Sequence, residues 1–179
     1  MVAVAKNIAL TDLGGRFIKV DHAGEHGAVC IYTGQILMAR LTAPALVSEL
    51  TEFREHELRH REIFRLELAR RGRPRCRSYW LCGLGGFILG FITGLFGSGA
   101  IAATTVAVES VVLRHLEHQM LVLKADPGAV AAIAAIVADE RAHHDRSLVH
   151  ARASKFWSTV LTPVVSAATE AVIWTGMRL

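Results

Sequence analysis

The sequence predicts an all-α fold in which a four-helix bundle carries a dinuclear metal site and one or two additional apolar helices are attached. Two Glu-x-x-His motifs, Glu57–His60 and Glu140–His143, are each preceded by a lone glutamate, Glu25 or Glu109, in an apolar setting. This set of side chains is typical of a dinuclear carboxylate site between four helices. Residues 78–108 contain no charged side chain. Few prolines and no Asn-Gly or Asp-Gly turns occur, which favours helices over short strands.

The composition fits a single domain, residues 1–179, with a sizeable core. The hydrophobic fraction of 52% and the mean hydropathy of +0.36 are high for a freely soluble protein. Residues 1–15 contain a Gly-Gly break and are expected to form a flexible N-terminal segment without the pattern of a secretory signal or a transit peptide. The three cysteines form no C-x-x-C pair, which favours free thiols in a reducing compartment. A bacterial cytoplasmic protein fits best, with a mature mitochondrial form as the alternative.

Each of the first two predicted helices has a row of apolar side chains that is interrupted by a possible metal ligand, either glutamate or histidine. One helix is expected from about Arg16 to Arg40 and the next from about Ala45 to Arg71. The rows are Ile18, Glu25, Val29, Tyr32 and Ile36 in the first helix, and Leu46, Leu50, Phe53, Glu57, His60, Phe64 and Leu68 in the second. Glu55 falls on the opposite, solvated face, so the helical period selects Glu57 instead.

Two later helices repeat this arrangement. A helix from about Ala100 to Lys124 carries Glu109, and a helix that Asp126 caps and Pro127 begins extends to about Ser154. The rows are Ala102, Thr105, Glu109, Val112, Leu116 and Leu123, then Ile133, Ile136, Val137, Glu140, His143 and Leu148. A last, mostly apolar helix is expected from about Ser158 to Arg178.

The six interrupting residues together indicate a metal centre. One histidine or glutamate on an apolar face is more often a hydrogen-bonded core residue, but two matching sets are hard to explain in that way. A buried, unpaired carboxylate is costly or takes up a proton. Two divalent ions would balance four carboxylates, and each histidine would add a neutral donor. The predicted ligands are Glu25, Glu57, His60, Glu109, Glu140 and His143.

The ligand types also favour particular metals and chemistry. Carboxylates with one imidazole per ion suit iron or manganese better than zinc. Six ligands leave coordination positions open, which favours catalysis with dioxygen. Candidates for orienting the ligands from outside are His115, His144 and Asp139, whereas His22, His26 and His56 are offset from the chosen rows.

An apolar segment and an arginine cluster indicate contact with a membrane. Residues 78–99 are predicted to face a membrane or an apolar substrate, and Phe96–Gly99 should end the first helix of the stretch. The helix from Tyr79 to Phe96 is at the lower limit for a membrane span, so an interfacial position is favoured over a spanning one. Five arginines within residues 70–77 fit anionic lipid headgroups better than nucleic acid, because no stacking-aromatic motif accompanies them. A solvated turn is the alternative for this cluster.

Several strings of residues resemble one family. Val20-Asp-His-Ala-Gly-Glu25, Glu57-x-x-His60, Val106-Ala-Val-Glu109 and Asp139-Glu-Arg-Ala-His-His-Asp145 resemble the demethoxyubiquinone hydroxylases of ubiquinone biosynthesis. The likeness extends from about Ile18 to the carboxyl terminus. Position by position, the resemblance implies that the six residues selected by periodicity are iron ligands.

The resemblance implies a ferritin-like, membrane-associated di-iron monooxygenase. Its substrate would be a polyprenylated demethoxyubiquinol, its co-substrate O₂, and its electron source NADH, a reductase or the quinol itself. The implied location is peripheral, on the cytoplasmic face of the bacterial inner membrane. A lipid-binding accessory protein of the same pathway is an implied partner, a homo-oligomer is left open, and no nucleic acid is expected.

A polyprenyl tail would need an apolar groove, because its surface must leave water. We expect this groove between the apolar segment and the first helix, lined by Leu84, Phe87, Leu89 and Phe91. The chain departs from the family at Leu116, where a tyrosine is common, and at Glu170 in the otherwise apolar last helix. The competing interpretations are iron oxidation or storage, a manganese catalase, and a non-catalytic membrane-associated helical protein.

Overall fold

The structure is a computed structural model that describes the backbone of residues 2–179 and the side chains of residues 12–179. This part of the chain forms α-helices and one short 3-10 helix (Pro44–Leu46), and it contains no strand. The α-helices are α1 (Val2–Thr42), α2 (Val47–Arg70), α3 (Tyr79–Leu95), α4 (Ser98–Val122), α5 (Pro127–Ala134), α6 (Val137–Arg152) and α7 (Lys155–Gly176). The predicted all-α class is confirmed.

The predicted architecture of a bundle with two attached helices is also confirmed. Helices α1, α2, α4 and α6 form the bundle, in which α1 packs along α2 and α4 packs along α6. Helix α3 lies along α1, and α7 lies along α4, so both are outside the bundle. The short α5 contacts α2 and α4 near one end of the bundle.

Two apolar clusters enclose the middle of the bundle from both ends. One contains Ile18, Phe64 and Leu116, and the other contains Phe53 and Ile101 among its members. Burying each such side chain contributes about 1.5–3 kcal/mol. The predicted ligands occupy the layer between these clusters. Along both α1 and α2, the ligand positions follow a residue of one cluster and precede a residue of the other.

Helix α1 begins earlier than predicted, at Val2 rather than near Arg16. Gly14 and Gly15 do not interrupt it. A Cβ atom at Gly14 would meet the side chain of Asp126, and one at Gly15 would meet that of Arg73. These glycines allow neighbouring segments to approach the helix. The flexibility of residues 1–15 stays a prediction.

The single helix predicted from 127 to about 154 is wrong, because the structure divides it into α5 and α6. At the junction the Ile136 amide donates to the carbonyl of Ile133, at 3.2 Å, instead of continuing the α-helical pattern. Ile136 is fully buried in the apolar cluster. The helix begins again at Val137 and directs Glu140 and His143 inward, whereas Ser147 and not Leu148 is the next fully buried residue.

Helix α3 approaches α1 through a face of glycines. A Cβ atom at Gly86 or at Gly90 would overlap the backbone carbonyl of Gly27 or of Ile31. The chain then turns at Gly97, whose φ of 81° is in the left-handed region that favours glycine. The predicted break at 96–99 is confirmed.

Most of the arginine cluster serves the fold. Arg70 and Arg71 pair with Glu67, Arg71 also pairs with Asp126, and Arg73 pairs with Asp12. Arg71 and Arg73 thereby hold the end of α2 and the segment after it against the start of α5 and against α1, whereas Arg70 pairs within its own helix. The side chains of Arg70 and Arg73 are 62% and 39% exposed, so contact of the cluster with lipid headgroups stays a prediction.

Two helices of the described part are long and apolar enough to cross a membrane by length and composition, Ser98–Val122 and Lys155–Gly176. The first is α4, a core helix whose apolar window is 61% buried, and the second is α7, whose window is only 6% buried. Helix α3 is shorter, at 17 residues. The three cysteines are free thiols, as predicted.

Candidate metal centre

All six predicted ligands come together in the middle of the bundle. Their oxygen and nitrogen atoms form two groups, and within each group the ligand atoms lie within 4.8 Å of one another. The groups are Glu25, Glu57, His60 and Glu140, and Glu57, Glu109, Glu140 and His143. Each of the six side chains is buried. The four bundle helices thus supply the site as the periodicity of the sequence predicts.

Glu57 and Glu140 belong to both groups, so they are the two carboxylates that a pair of ions would share. Each histidine lies close to the glutamate of the other motif. The distance from His60 Nδ1 to Glu140 Oε1 is 2.8 Å, and that from His143 Nδ1 to Glu57 Oε1 is 3.1 Å. The two motifs therefore interlock across the bundle.

The electrostatics of this cluster need a positive charge. Burial raises the pKa of Glu25 well above its usual value, and the nearby charge of Glu57 raises it further. Burial likewise raises the pKa of Glu109, and the charge of Glu140 adds to the shift. Burial also acts to raise the pKa of Glu57, but the imidazoles of His143 and His60 beside its carboxylate outweigh this effect and lower that pKa. The cluster therefore favours protonation of part of its carboxylates unless a cation replaces the protons.

Four ligand atoms lack a normal hydrogen bond, which supports a metal pair at this place. Glu57 Oε1, Glu140 Oε1, His60 Nδ1 and His143 Nδ1 are buried, and although they face each other in pairs at 2.8 and 3.1 Å, no hydrogen bond of normal geometry joins them. A buried polar atom without a partner is costly in free energy. Two divalent cations would satisfy all four atoms and balance the four carboxylates.

Three further side chains hold the ligands from outside. Asp139 Oδ2 lies 3.1 Å from His60 Nε2, as predicted, and His56 Nδ1 lies 3.1 Å from His143 Nε2. The Tyr32 hydroxyl donates to Glu109 Oε1 at 3.0 Å. Contacts of this kind fix the orientation of a ligand.

Sequence reasoning missed two of these three contacts. It set His56 aside because that residue is offset from the inward row of α2, although it directly precedes Glu57. It placed Tyr32 in the inward row but assigned no partner to its hydroxyl. Only the packing of α1 and α2 against α4 and α6 shows these contacts.

Two other predicted outer partners do not touch the ligands. His115 Nε2 lies 2.7 Å from Glu170 Oε2 on α7, and His144 Nδ1 lies 2.9 Å from Asp145 Oδ1. The prediction that His115 and His144 orient ligands is wrong. Both are offset from the inward row of their helices, and each finds an acidic partner at the surface.

A cavity of about 490 Å³ connects the ligand cluster with the outer helices. Its wall includes all four predicted ligand carboxylates. Most of the remaining wall is apolar and comes from α1, α3, α4 and α7, with residues such as Ile31, Leu89, Val112 and Val165. An apolar molecule in this cavity would reach the metal positions.

The position of the predicted tail groove requires a correction. Of its four predicted residues, Leu89 lines the cavity, whereas Leu84, Phe87 and Phe91 do not. Leu84 and Phe87 are 60% and 37% exposed. The cavity is bounded by α1 and α3 on one side and extends to α4 and α7, so it is wider than the predicted groove between α3 and α1.

Of the two departures from the family pattern, only Leu116 lies at this cavity. Leu116 lines it and is 2% exposed, in contact with the apolar cluster at one end of the bundle. Glu170 pairs with His115 and Arg114, and so links α7 to α4.

A four-helix bundle with two Glu-x-x-His motifs and two further glutamates defines a ferritin-like dinuclear carboxylate protein. The model of one family, described as "Ubiquinone biosynthesis protein COQ7", matches residues 12–176 of the chain. The chain belongs to this family, which confirms the predicted resemblance to the demethoxyubiquinone hydroxylases.

Curated relatives share about a third of their residues with the chain. The chain is 32% identical over 169 residues to the NADPH-dependent 3-demethoxyubiquinone 3-hydroxylase, mitochondrial, of Mus musculus. This alignment covers 91% of the chain and 76% of the relative. It is 33% identical over 167 residues to the 3-demethoxyubiquinol 3-hydroxylase of Rhodospirillum rubrum, covering 92% and 77%. It is 31% identical over 182 residues to the 5-demethoxyubiquinone hydroxylase, mitochondrial, of Saccharomyces cerevisiae, covering 92% and 77%.

Proposed function

We propose that this protein is a di-iron monooxygenase that hydroxylates the ring of a polyprenylated demethoxyubiquinol, 2-polyprenyl-3-methyl-6-methoxy-1,4-benzoquinol, with O₂ in ubiquinone biosynthesis. The names of the relatives support this reaction. The observation that carries the proposal is the apolar cavity, which has the candidate metal ligands in its wall.

The proposed cofactor is a pair of iron ions held by Glu25, Glu57, His60, Glu109, Glu140 and His143. Iron in such a carboxylate and imidazole environment supplies the activation of O₂ that ring hydroxylation needs. The protein chain positions the ligands and keeps water away from them. Asp139, His56 and Tyr32 hold three of the ligands in place, and the two apolar clusters exclude water from both ends.

The shape and polarity of the cavity support a lipid quinol as the substrate. Its wall is mostly apolar, and it lies between two helices with exposed apolar side chains, α3 and α7. A polyprenyl tail brings apolar surface that is favourably removed from water in such a space. The ring would then lie near the glutamates while the tail passes between α3 and α7.

The same arrangement supports a peripheral position on a membrane. Exposed side chains on the two outer helices include Trp80, Leu84, Phe156, Val164 and Trp174. We propose that this face lies on the cytoplasmic surface of the bacterial inner membrane, or on the corresponding surface in a mitochondrion. The proposed electron source is NADH or a reductase, and the proposed partners are a lipid-binding accessory protein and a second copy of the chain.

The cavity also favours hydroxylation over the competing reactions. Iron oxidation or storage and peroxide breakdown involve small polar reactants that need no large apolar space. A non-catalytic helical protein would have no reason to bury four ligand atoms that lack a hydrogen bond of normal geometry.

The test is oxygen transfer from ¹⁸O₂ to a short-tailed demethoxyubiquinol by the Fe²⁺-reconstituted full chain with a chemical reductant. We expect one ¹⁸O atom in the ring of the product. Glu109→Gln should abolish this product, whereas the matched variant Glu117→Gln, an exposed position on the same helix, should form it at the normal rate.

Other outcomes would redirect the proposal. Peroxide breakdown by a manganese-loaded protein that forms no hydroxylated product would indicate a catalase. Oxidation of excess Fe²⁺ without a ring product would indicate an iron-handling protein. Absence of bound metal after reconstitution would contradict the proposal that the protein is a metal-dependent enzyme.

A further inference from the structure

Asp21 is a carboxylic acid in the cavity wall that is not a member of either group of ligand atoms. Asp21 lies on α1, one helical turn before Glu25, and it lines the cavity. Among the described residues, it is the one carboxylic acid of the wall besides the four candidate metal ligands. An acid at this place has no role in holding the metal pair.

The partners of Asp21 leave part of its hydrogen-bonding capacity unused. Gln119 Nε2 donates to Asp21 Oδ1 at 3.0 Å, whereas Asp21 Oδ2 is buried and has no partner. Gln119 Oε1 is also buried without a partner. Two buried acceptor atoms of this hydrogen-bonded pair therefore lack a donor, which is costly unless a ligand or a water molecule supplies one.

The surroundings of Asp21 contain no compensating cation. Burial raises the pKa of Asp21 to about 7, although the hydrogen bond from Gln119 acts to lower it. No ion pair of Asp21 with a basic side chain is present in the described part of the chain. A carboxylic acid whose pKa is raised by burial, and that has no cationic partner, is more typical of a binding site than of a structural ion pair.

We propose that the carboxyl group of Asp21 binds a ring hydroxyl of the quinol and thereby orients the ring toward the metal pair. This inference rests on the proposed function, because the quinol is the ligand assumed for the cavity. A hydroxyl donates the hydrogen bond that the acceptor pair lacks. One helical turn is about 5.4 Å, comparable to the breadth of a substituted ring, so a ring held at Asp21 also reaches Glu25.

The geometry allows this contact without loss of the bond from Gln119. The two oxygens of a carboxylate are chemically equivalent, and rotation about the Cβ–Cγ bond of aspartate is soft. One oxygen can therefore remain on Gln119 while the other meets the ring. Gln119 acts as a positioning residue that keeps the carboxyl group at the wall.

The chemistry of the carboxylate predicts selection of the reduced ring. A carboxylate accepts from the hydroxyl of a quinol but offers no donor to the carbonyl of a quinone. Asp21→Asn keeps the size and the bond from Gln119, and it puts an N–H donor where the acceptor was. The variant should therefore shift the preference from quinol to quinone.

The experiment measures the dissociation constants of a short-tailed quinol and its quinone for the iron-loaded full chain, anaerobically at pH 8. The redox state of the bound ring is checked afterwards by absorbance. We expect the ratio of the quinone constant to the quinol constant to fall about tenfold in Asp21→Asn, as for loss of one charged hydrogen bond. Asp145→Asn, the same substitution at an exposed aspartate that does not line the cavity, should leave the ratio unchanged.

A second measurement needs no variant. The chain has five aspartates, Asp12, Asp21, Asp126, Asp139 and Asp145, and of these Asp21 alone lines the cavity. With ¹³C in the aspartate carboxyl groups, infrared difference spectra should show a shifted aspartate band when the quinol binds. This decides the question even if Asp21→Asn does not fold.

The outcomes separate this inference from the proposed function. Normal hydroxylation with an unchanged ratio in Asp21→Asn and no aspartate band would overturn the role of Asp21 and leave the function intact. Selective binding of the quinol that depends on Asp21, without any hydroxylated product, would support the binding site and contradict the proposed reaction.

Discussion

Glu57 and Glu140 differ from the other candidate ligands because each belongs to both groups of ligand atoms. Each also lies close to the histidine of the opposite motif. A change at either glutamate should therefore disturb both ion positions, whereas a change at Glu25 or Glu109 should first disturb one.

Glu57→Gln should lower the iron content of the reconstituted protein from about two ions per chain to less than one, because a neutral amide removes a charge that both ions share. Iron content after gel filtration and the exchange-coupled Mössbauer signal measure this loss. Glu55→Gln is the matched control, since Glu55 is exposed on the same helix two residues away. Equal iron content in the two variants would show that the period of α2 selected the wrong glutamate.

The raised pKa values of Glu25 and Glu109 predict how the metal-free protein responds to pH. Above the ordinary glutamate pKa of about 4.3, the unfolded chain has lost these protons while the folded protein still holds them. Stability therefore falls as the pH rises toward the folded-state values. The lowered pKa of Glu57 makes the protein more stable as the pH rises, but this gain is complete near the ordinary glutamate pKa. It therefore does not cancel the loss of stability at neutral pH.

We therefore expect urea midpoints of the metal-free protein to be lower at pH 8 than at pH 6. Loading with Fe²⁺ under anaerobic conditions should raise the midpoint at pH 8 more than at pH 6, because the metal binds the ionised carboxylates. A metal-free protein whose stability increases over this range would contradict the assigned electrostatics.

Among the helices, α3 owes its position to the glycines that face α1. At Gly90 a Cβ atom would overlap the Ile31 carbonyl, which belongs to rigid backbone. Gly85 lies on the same helix, and a Cβ atom there would meet nothing within 4 Å. The two glycines therefore differ in the room around them but share the same helix.

Gly90→Ala should lower the free energy of unfolding by about 1–3 kcal/mol, because the added methyl group forces α3 away from α1. Gly85→Ala should leave it unchanged or raise it by up to about 1 kcal/mol, since alanine favours the helix. Urea titrations followed by circular dichroism measure both values. A similar loss in both variants would mean that the close approach of α3 to α1 contributes little to stability.

The sequence predicted the helices and ligands that depend on local periodicity. Glu57 and His60 interrupt an apolar row of α2, and that row alone assigns them to the interior. The junction between α5 and α6 had no such signal, because Ala135 and Ile136 are neither glycine nor proline and the row continues through them. The contact of His56 with His143 depends on how α2 meets α6, which no pattern within one helix contains.

The arrangement of the outer helices determines where a substrate can enter. The start of α4 follows the end of α3, and the Phe96 ring lies 5.0 Å from that of Trp157 near the start of α7. At the other end, Gly176 of α7 lies close to Val20 and Ser78. The residues that flank α3, Ser78 and Phe96, therefore lie close to the two ends of α7, and both helices expose apolar side chains.

This arrangement predicts that lipid binding and catalysis can be separated. The double variant Leu84→Glu with Val164→Glu places two charges on the exposed face of α3 and α7, at positions that are 60% and 64% exposed and do not line the cavity. Binding to anionic vesicles in a flotation assay should fall at least about tenfold, because charged groups oppose insertion among lipid chains. Turnover of a short-tailed quinol in solution should remain, since the wall of the cavity is unchanged.

The matched control for this face is Leu66→Glu with Val149→Glu, at positions on α2 and α6 that are 54% and 67% exposed. These two helices belong to the four-helix bundle and not to the proposed membrane face, so the control should bind vesicles normally. Equal loss in both double variants would mean that added negative charge alone weakens binding to anionic lipid. Normal binding in both would remove the outer helices as the membrane face, and a lipid substrate would then have to reach the cavity from a carrier protein.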